Sequence, residues 1–533
     1  MPVDIDTFES ESSTPDVTVS NGQAFRALLP YVREHAWGLG GCLILLAIAT
    51  GLSLYWPVLL RQALDVNIVE KDVRGLVWTV GQIALIQVMT LALQYVQRIR
   101  LEIIGQTVMV ELKQKIFGHL LTQDVVFFDR NPVGRLLARV ESDTESLRVL
   151  FTNTAVLIVG DILLIAGIFG LMLHYSWQLA LVLSCFVPVV LVCVYIFQKL
   201  TAPKFLGVRK KMAEVTATLT EMLHGMAIVQ IFHRAEYARE RLNRASRVKA
   251  ADELYGHIGS GLFFNAMNFV QYAAVATVLF CGALWKEAGV ITIGTISMFV
   301  VLIWRSFDPI YRTSEQMSVV LRGFAGARRI VALLSEKPRT TDPESPVALG
   351  PIRESIRFEH VWFSYSDDDH WVLSDVSFEI PVGRKVALVG VTGGGKSTVI
   401  SLLLRLYDPQ KGRITIDGVD IRNFSRSDLR RKFALVLQDI ILFPGTVADN
   451  VSLENEGLSR ERVVEACRTV AADGFIERLP KTYETEVSEK GSNFSRGERQ
   501  LLSFARALAV DPEVLLLDEA TSSVDPQTER TLQ

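Results

Sequence analysis

Within Gly390-Val391-Thr392-Gly393-Gly394-Gly395-Lys396-Ser397-Thr398, glycines stand beside one lysine and neighbouring hydroxyls in the spacing GxxxxGK[ST]. Glycine has no Cβ, so successive backbone N–H groups curl around an anion without obstruction. The run Val386–Val389 before the motif reads as a strand, and Val399–Leu406 after it as an apolar helix. Strand, glycine loop and helix N-terminus in that order make a phosphate cradle, because the helix dipole adds to the loop's N–H groups. Lys396 then reaches the β- and γ-phosphates, and the Ser397 hydroxyl ligates Mg²⁺. A second run, Val514-Leu515-Leu516-Leu517-Asp518-Glu519, reads as a buried parallel strand ending in two acids. Asp518 at the strand end suits the Mg²⁺ shell, and Glu519 suits a base that positions water. Together the motifs predict ATP and Mg²⁺ as cofactors, with residues 390–398 and Asp518 binding and with Lys396 and Glu519 catalytic.

Those residues need a soluble α/β domain, but the composition is not that of a soluble protein. Of 533 residues, 49% are hydrophobic and only 21% charged. Lys+Arg is 55 and Asp+Glu is 58, a net charge of −3, which excludes a globally basic nucleic-acid binder and an acidic disordered chain. No nucleic-acid partner is expected. The five cysteines form no CxxC motif and no Cys/His cluster, so they read as small apolar residues.

The apolar excess is concentrated in six runs of bilayer-crossing length: Trp37–Leu60, Leu76–Val96, Val149–Leu173, Trp177–Phe197, Ile258–Trp285 and the shorter Gly289–Trp304. Basic residues crowd two connections, from Arg98 to Arg148 and from Lys199 to Lys249, whereas the other three hold only Arg61, Lys71, Arg74 and Lys286. By the positive-inside rule the two long connections are cytoplasmic, as are the N-terminus and everything after the sixth span. Apolar residues recur at helical spacing through Val108–Leu121 and Val215–Phe232, so the spans are expected to continue out of the membrane as long helical hairpins. Asp161 is the one carboxylate in mid-span; it reads either as a substrate or proton contact or as a helix–helix hydrogen bond or wet cavity wall.

The expected organisation is a disordered acidic tail and amphipathic elbow helix at 1–36, then a membrane domain at 37–325. A linker at 326–355 follows, marked by Pro338, Pro343, Pro346 and Pro351, and then a nucleotide-binding domain at 356–533. The fold class is a six-helix membrane domain fused to an α/β P-loop domain.

Between the two nucleotide motifs stands Asn493-Phe494-Ser495-Arg496-Gly497-Glu498-Arg499-Gln500, which resembles the ABC signature, usually LSGGQ. Gln438 in Val436-Leu437-Gln438-Asp439 resembles the Q-loop, and Ser522-Ser523-Val524-Asp525 the D-loop. Tyr365 in Trp362-Phe363-Ser364-Tyr365 resembles the A-loop aromatic that stacks on adenine, and Thr485–Gly491 a segment found in exporters. Phe127–Gly134 and Gly225–Phe232 resemble the two coupling-helix regions of the membrane domain. The resemblance covers nearly the whole chain from about Gln23 and is to ABC exporter half-transporters of type IV, the MdlB-like multidrug group. It implies that Gln438 joins the catalytic residues and the metal ligands. It implies too that Tyr365 binds the base and that Ser495 and Gly497 complete a partner's nucleotide site.

The function this implies is ATP-driven export of hydrophobic or amphipathic drug-like molecules by a dimer, across a bacterial inner membrane, with the nucleotide-binding domain in the cytoplasm. A lipid flippase or a catalytically weak partner subunit is the alternative. The spans exclude a soluble ABC ATPase of DNA repair. Two departures stand out. Arg496 occupies a place usually held by Gly and Glu498 one usually held by Gln, which favours a heterodimer over a homodimer. The last histidine is His370, so the family's switch histidine is missing and the chain reads as a piece of a longer protein.

Overall fold

The computed structural model describes residues 20–366, 370–391, 393–455 and 457–518; the expected acidic tail at 1–19 lies outside them. The chain divides into two compact units. One comprises the chain to Leu121 and Gly134–Glu336; the other comprises Thr122–Val133 and everything from Lys337 on.

Among its described residues the first unit is helical throughout. Helices α1 (Asn21–Glu34), α2 (Ala36–Gln62) and α3 (Val73–Thr122) precede α4 (Val125–Arg130), which belongs to the second unit. Then follow α5 (Val133–Ala138), α6 (Thr144–Val149), α7 (Ala155–Tyr175), α8 (Trp177–Ser184) and α9 (Phe186–Leu200). The series ends with α10 (Ala202–His224), α11 (Met226–Ile231), α12 (Ala235–Glu287) and α13 (Ile293–Ser335). Six stretches are long and apolar enough to cross a membrane: Ala36–Asn67, Val73–Thr122, Val133–Tyr175, Trp177–Leu200, Ala235–Glu287 and Ile293–Arg312. Each contains or overlaps a run expected from the sequence. The sixth begins later than expected, because Gly289 turns at φ +73° and the Thr292 hydroxyl caps α13 by accepting from the Thr295 N–H at 3.2 Å.

Helices α3 and α12 are 50 and 53 residues long. At ~1.5 Å per residue each is more than twice the ~30 Å hydrocarbon thickness, so both run far outside it. Polar pairs hold the outer lengths together: Lys211 with Asp252 at 2.7 Å and Arg241 with Glu221 at 2.9 Å join α10 to α12. The apolar core of this unit is built where α7, α8, α12 and α13 meet, with Met267, Met298, Phe299 and Leu302 fully buried. A Cβ at Gly167 would stand 2.3 Å from Leu54, so the small residue lets α7 approach α2 closely. Asp143, in the π-turn after α5, accepts from Arg329 of α13 at 2.6 and 2.9 Å. Helix α13 continues to Ser335 and stops just before Pro338, which disfavours helix in the residue preceding it.

The second unit starts with an antiparallel sheet of β1 (Ser355–Phe363), β2 (Leu373–Pro381), β3 (Lys411–Ile416) and β4 (Val419–Asp420), in the order β2-β1-β3-β4. Helix α14 (Lys396–Leu403) shares its core, where Phe358 stacks on Phe378 with ring centroids 4.5 Å apart. Gly412 sits at φ +77° with β1 so close that a Cβ would stand 2.2 Å from the His360 carbonyl oxygen. After α15 (Arg426–Arg431), β5 (Phe433–Val436) pairs in parallel with β8 (Val514–Leu517). Between them lie the hairpin β6 (Gly445–Thr446) with β7 (Glu486–Val487) and the helices α16 (Val447–Ser452), α17 (Arg460–Thr469), α18 (Asp473–Ile476) and α19 (Arg496–Ala509). These helices form a second core around Val447, Cys467, Phe475 and Leu502.

Two expectations differ here. The expected strand Val386–Val389 pairs with no strand among the described residues, and Val386 and Val389 are exposed. Strand β8 is parallel as expected but not buried, since Leu515 and Leu517 are exposed as well. A parallel strand is buried only with a ladder neighbour on each side and helices over both faces, and among the described residues β8 pairs with β5 alone.

Segment 122–133 is fastened to the second unit through Asp124. Its buried carboxylate caps α4 by accepting from the Phe127 N–H at 3.0 Å. The other oxygen accepts from the backbone N–H groups of Arg339 at 2.6 Å and Thr340 at 3.0 Å. Asp124→Ala leaves three N–H groups without that acceptor, so thermal unfolding of the purified full-length protein should show a loss of about 2–3 kcal/mol. Asp124→Asn, which keeps one acceptor oxygen, should lose less.

Candidate nucleotide site

The glycine loop is a backbone cradle. Gly393 and Gly395 both sit at φ +82°, where L side chains are strained. A Cβ at Gly390 or Gly393 would meet no protein atom within 4 Å, so the open side of the loop is lined by main chain. At Gly395 a Cβ would stand 2.6 Å from Leu373, which anchors the start of α14 against β2. The Lys396 ammonium lies over the loop, donating to the carbonyl oxygens of Gly390 and Val391 at 3.1 Å each. Ser397 and Thr398 occupy the first turn of α14. Backbone N–H groups, a helix N-terminus and one ammonium group converge here, a donor set that fits a polyphosphate. Thr392 lies outside the described residues.

Tyr365 flanks the cradle. Its hydroxyl is 3.0 Å from the Thr398 hydroxyl, and 46% of its surface is exposed, leaving the ring free for a stacking partner. The ring edges of Phe363 and Tyr407 support it from 4.9 and 5.2 Å, at interplanar angles of 85° and 88°. Tyr407 follows α14 and carries no periodic signal in the sequence; nothing short of the fold places it against Tyr365.

Strands β5 and β8 bring Gln438 and Asp518 to the same edge. Val436 pairs with Leu517, and the Asp518 N–H extends the ladder by donating to the Val436 carbonyl at 3.1 Å. Gln438 follows two residues after Val436 and so stands at the same carboxyl end of the parallel pair, the usual location for ligands in such sheets. Glu519 and the Ser522–Asp525 segment lie outside the described residues.

Ser495 and Gly497 form the start of α19, apart from these groups in the chain. Ser495 caps the helix, its hydroxyl accepting from the Glu498 N–H at 3.3 Å. Glu498 reciprocates by accepting from the Ser495 N–H at 2.8 Å, completing a capping box. Arg496 is exposed in the first helical turn, and Phe494 is buried beneath it. Arg499 ties the preceding loop down by donating to the Phe494 carbonyl at 2.8 Å.

In the membrane unit, Asp161 of α7 accepts from Arg312 of α13 at 2.6 Å. The mid-span acid thus has a cationic partner on a neighbouring helix. Arg305, about two turns before Arg312, donates to the Ser53 carbonyl of α2. Helix α11, the second of the regions that resemble coupling helices, leaves Ile228, Ile231 and the adjacent Phe232 exposed.

The family model described as ABC transporter transmembrane region matches residues 39–306, and the model described as ABC transporter matches residues 373–522. The chain belongs to the ABC transporter family, with its membrane-spanning and ATP-binding regions in one polypeptide. It is 33% identical over 495 residues to an ATP-dependent lipid A-core flippase of Desulfotalea psychrophila, covering 92% of this chain and 85% of that relative. It is 34% identical over 476 residues to YheH of Bacillus subtilis, a probable multidrug resistance ABC transporter ATP-binding/permease protein, covering 87% and 69%. A bacterial Atm1-family ABC exporter solved with ATP bound shares the fold at a TM-score of 0.74 and 25% identity, covering 93% of this chain and 88% of that one. The protein is therefore a multi-pass membrane ABC half-transporter of the exporter fold whose ATPase is coupled to transport.

Glu498→Gln keeps both halves of the capping box and should leave the thermal unfolding midpoint unchanged. Glu498→Ala removes the reciprocal bond to the Ser495 N–H and should lower stability by about 0.5–1 kcal/mol in the same measurement.

Proposed function

We propose that the protein exports hydrophobic or amphipathic molecules across a bacterial inner membrane as one half of a dimer, with the nucleotide unit in the cytoplasm. The observation that carries this is a backbone-lined glycine cradle, Gly390–Thr398, in one polypeptide with six membrane-crossing helices. Bound Mg²⁺·ATP supplies the phosphoanhydride whose hydrolysis makes transport irreversible. Lys396 and the N–H groups of residues 393–398 hold the β- and γ-phosphates. Ser397, Gln438 and Asp518 offer oxygens to the metal. Tyr365 stacks on the base. Glu519 orients the attacking water and takes up its proton. Ser495 and Gly497 present a second helix N-terminus to the γ-phosphate of a partner's site, so neither half encloses a nucleotide alone. The exposed apolar tip at Ile228, Ile231 and Phe232 fits a surface that the partner covers.

Arg305 and Arg312 already have partners in Ser53 and Asp161. That favours an amphiphile of low charge over a lipid with several phosphates, which needs free cations. Vesicle transport of lipophilic dyes tests this: uptake of a lipid A-type substrate with none of any dye would reverse the choice. Lys396→Ala should abolish ATPase and transport together, and unimpaired turnover in that variant would sink the site assignment. Glu519→Gln should retain bound ATP through gel filtration, because binding survives while water activation does not.

A heterodimer is favoured. Arg496 adds a cation to the signature and Glu498 an acid that already engages the Ser495 N–H. In a homodimer both composite sites would carry that alteration; in a heterodimer only one would. Co-expression with a candidate second half-transporter separates the cases. Glu519→Gln in this chain should stop turnover, whereas Ser495→Ala should only reduce it. Equal damage from both, or full activity from this chain alone, would make it a homodimer.

A further inference from the structure

The aromatic cluster behind Tyr365 is joined by a side-chain hydrogen bond to α4, in the region that resembles a coupling helix. The Tyr407 ring meets Tyr365 edge-on at 5.2 Å, and the Tyr407 hydroxyl donates to the Asp129 carboxylate near the end of α4. Burial first, and then the Asp129 carboxylate, push the Tyr407 phenol above its ordinary pKa, so it stays protonated and remains a donor. The other end of α4 is fixed independently, by Asp124 holding the Arg339 and Thr340 N–H groups. Helix α4 is therefore attached to the linker at one end and, near the other, to the ring packed against Tyr365. Neither Tyr407 nor Asp129 has a part in holding phosphate, metal or water.

We propose that Tyr407 is a positioning residue that passes the seating of a base on Tyr365 to helix α4 through its hydrogen bond to Asp129. This rests on the reading of Tyr365 as the base-stacking residue. A base on the exposed face of Tyr365 fixes that ring between two contacts. Tyr365 is already held by Phe363 and by the Thr398 hydroxyl, so the Tyr407 edge is the contact left to follow it. Close-packed rings transmit small displacements rather than absorbing them. The Tyr407 hydroxyl is rigidly attached to its ring, so its direction, and the carboxylate it binds, follow. Phosphates alone, seated in the glycine loop, reach Tyr365 at its hydroxyl through Thr398 and leave the exposed face of its ring unloaded.

The test uses the full-length protein in lipid nanodiscs, as the dimer it forms, and reads amide hydrogen exchange in residues 125–130. Binding is measured separately by displacement of a fluorescent ATP analogue. In the wild type, AMP-PNP with Mg²⁺ should slow exchange there severalfold. Tripolyphosphate, at concentrations that displace the fluorescent nucleotide, should not. Tyr407→Phe keeps the ring and its edge contact, so AMP-PNP should bind with wild-type affinity yet give no protection. Asp129→Ala should behave the same way, and Asp129→Asn, which keeps an acceptor oxygen, should restore protection. The double variant Tyr407→Phe/Asp129→Ala should be no worse than either single one, because both remove the same bond. Protection in Tyr407→Phe, protection by tripolyphosphate, or additive losses in the double variant would each overturn the relay. Failure of AMP-PNP to bind the wild type would instead overturn the nucleotide-site reading beneath it.

Discussion

A bilayer core holds no water, so every backbone N–H and C=O within it must bond inside the protein, which a helix does within its own segment. That constraint sets the architecture of the first unit, which is helical throughout its described residues. The interior of a membrane-crossing helix has no free backbone donors to cradle a phosphate, so nucleotide chemistry falls to an open glycine loop and helix N-termini in a separate unit. The chain crosses between the two units at three places: after Leu121, after Val133 and after Glu336. The middle stretch, 122–133, lies between two membrane helices in sequence yet packs as part of the nucleotide unit. Within the second unit the Asp124 carboxylate bonds both α4 and the linker.

The same low dielectric governs the charges in the membrane unit. An isolated carboxylate in mid-span is costly, and Asp161 is matched by Arg312 on a neighbouring helix. Arg305 spends its guanidinium on the Ser53 carbonyl. Most of the remaining surface of the spans is apolar and exposed, with Trp78, Leu85 and Tyr95 of α3 as examples.

The signature helix shows how a substitution can be conservative in geometry and not in charge. Glutamine and glutamate both complete a capping box, so Glu498 keeps the start of α19 intact. The carboxylate nevertheless adds a negative charge to the first turn of α19, while Arg496 adds a positive one beside it. Folding tolerates the pair; its effect on a composite site depends on the partner that faces it.

The six spans followed from apolar run length, because bilayer thickness acts on sequence directly. The phosphate cradle was equally legible, since positive φ at Gly393 and Gly395 demands glycine at fixed spacing. Resemblance supplied Tyr365, Gln438, Ser495 and Gly497, which no spacing rule marks alone. What the sequence could not contain was adjacency between distant segments. That Asp161 meets Arg312, that Asp124 grips the linker, and that Tyr407 stands between Tyr365 and Asp129 depend on packing. The strand at Val386–Val389 shows the same limit from the other side. Its apolar pattern is right for a buried parallel strand, but a strand forms only where a ladder partner is present, and partners are decided by tertiary structure.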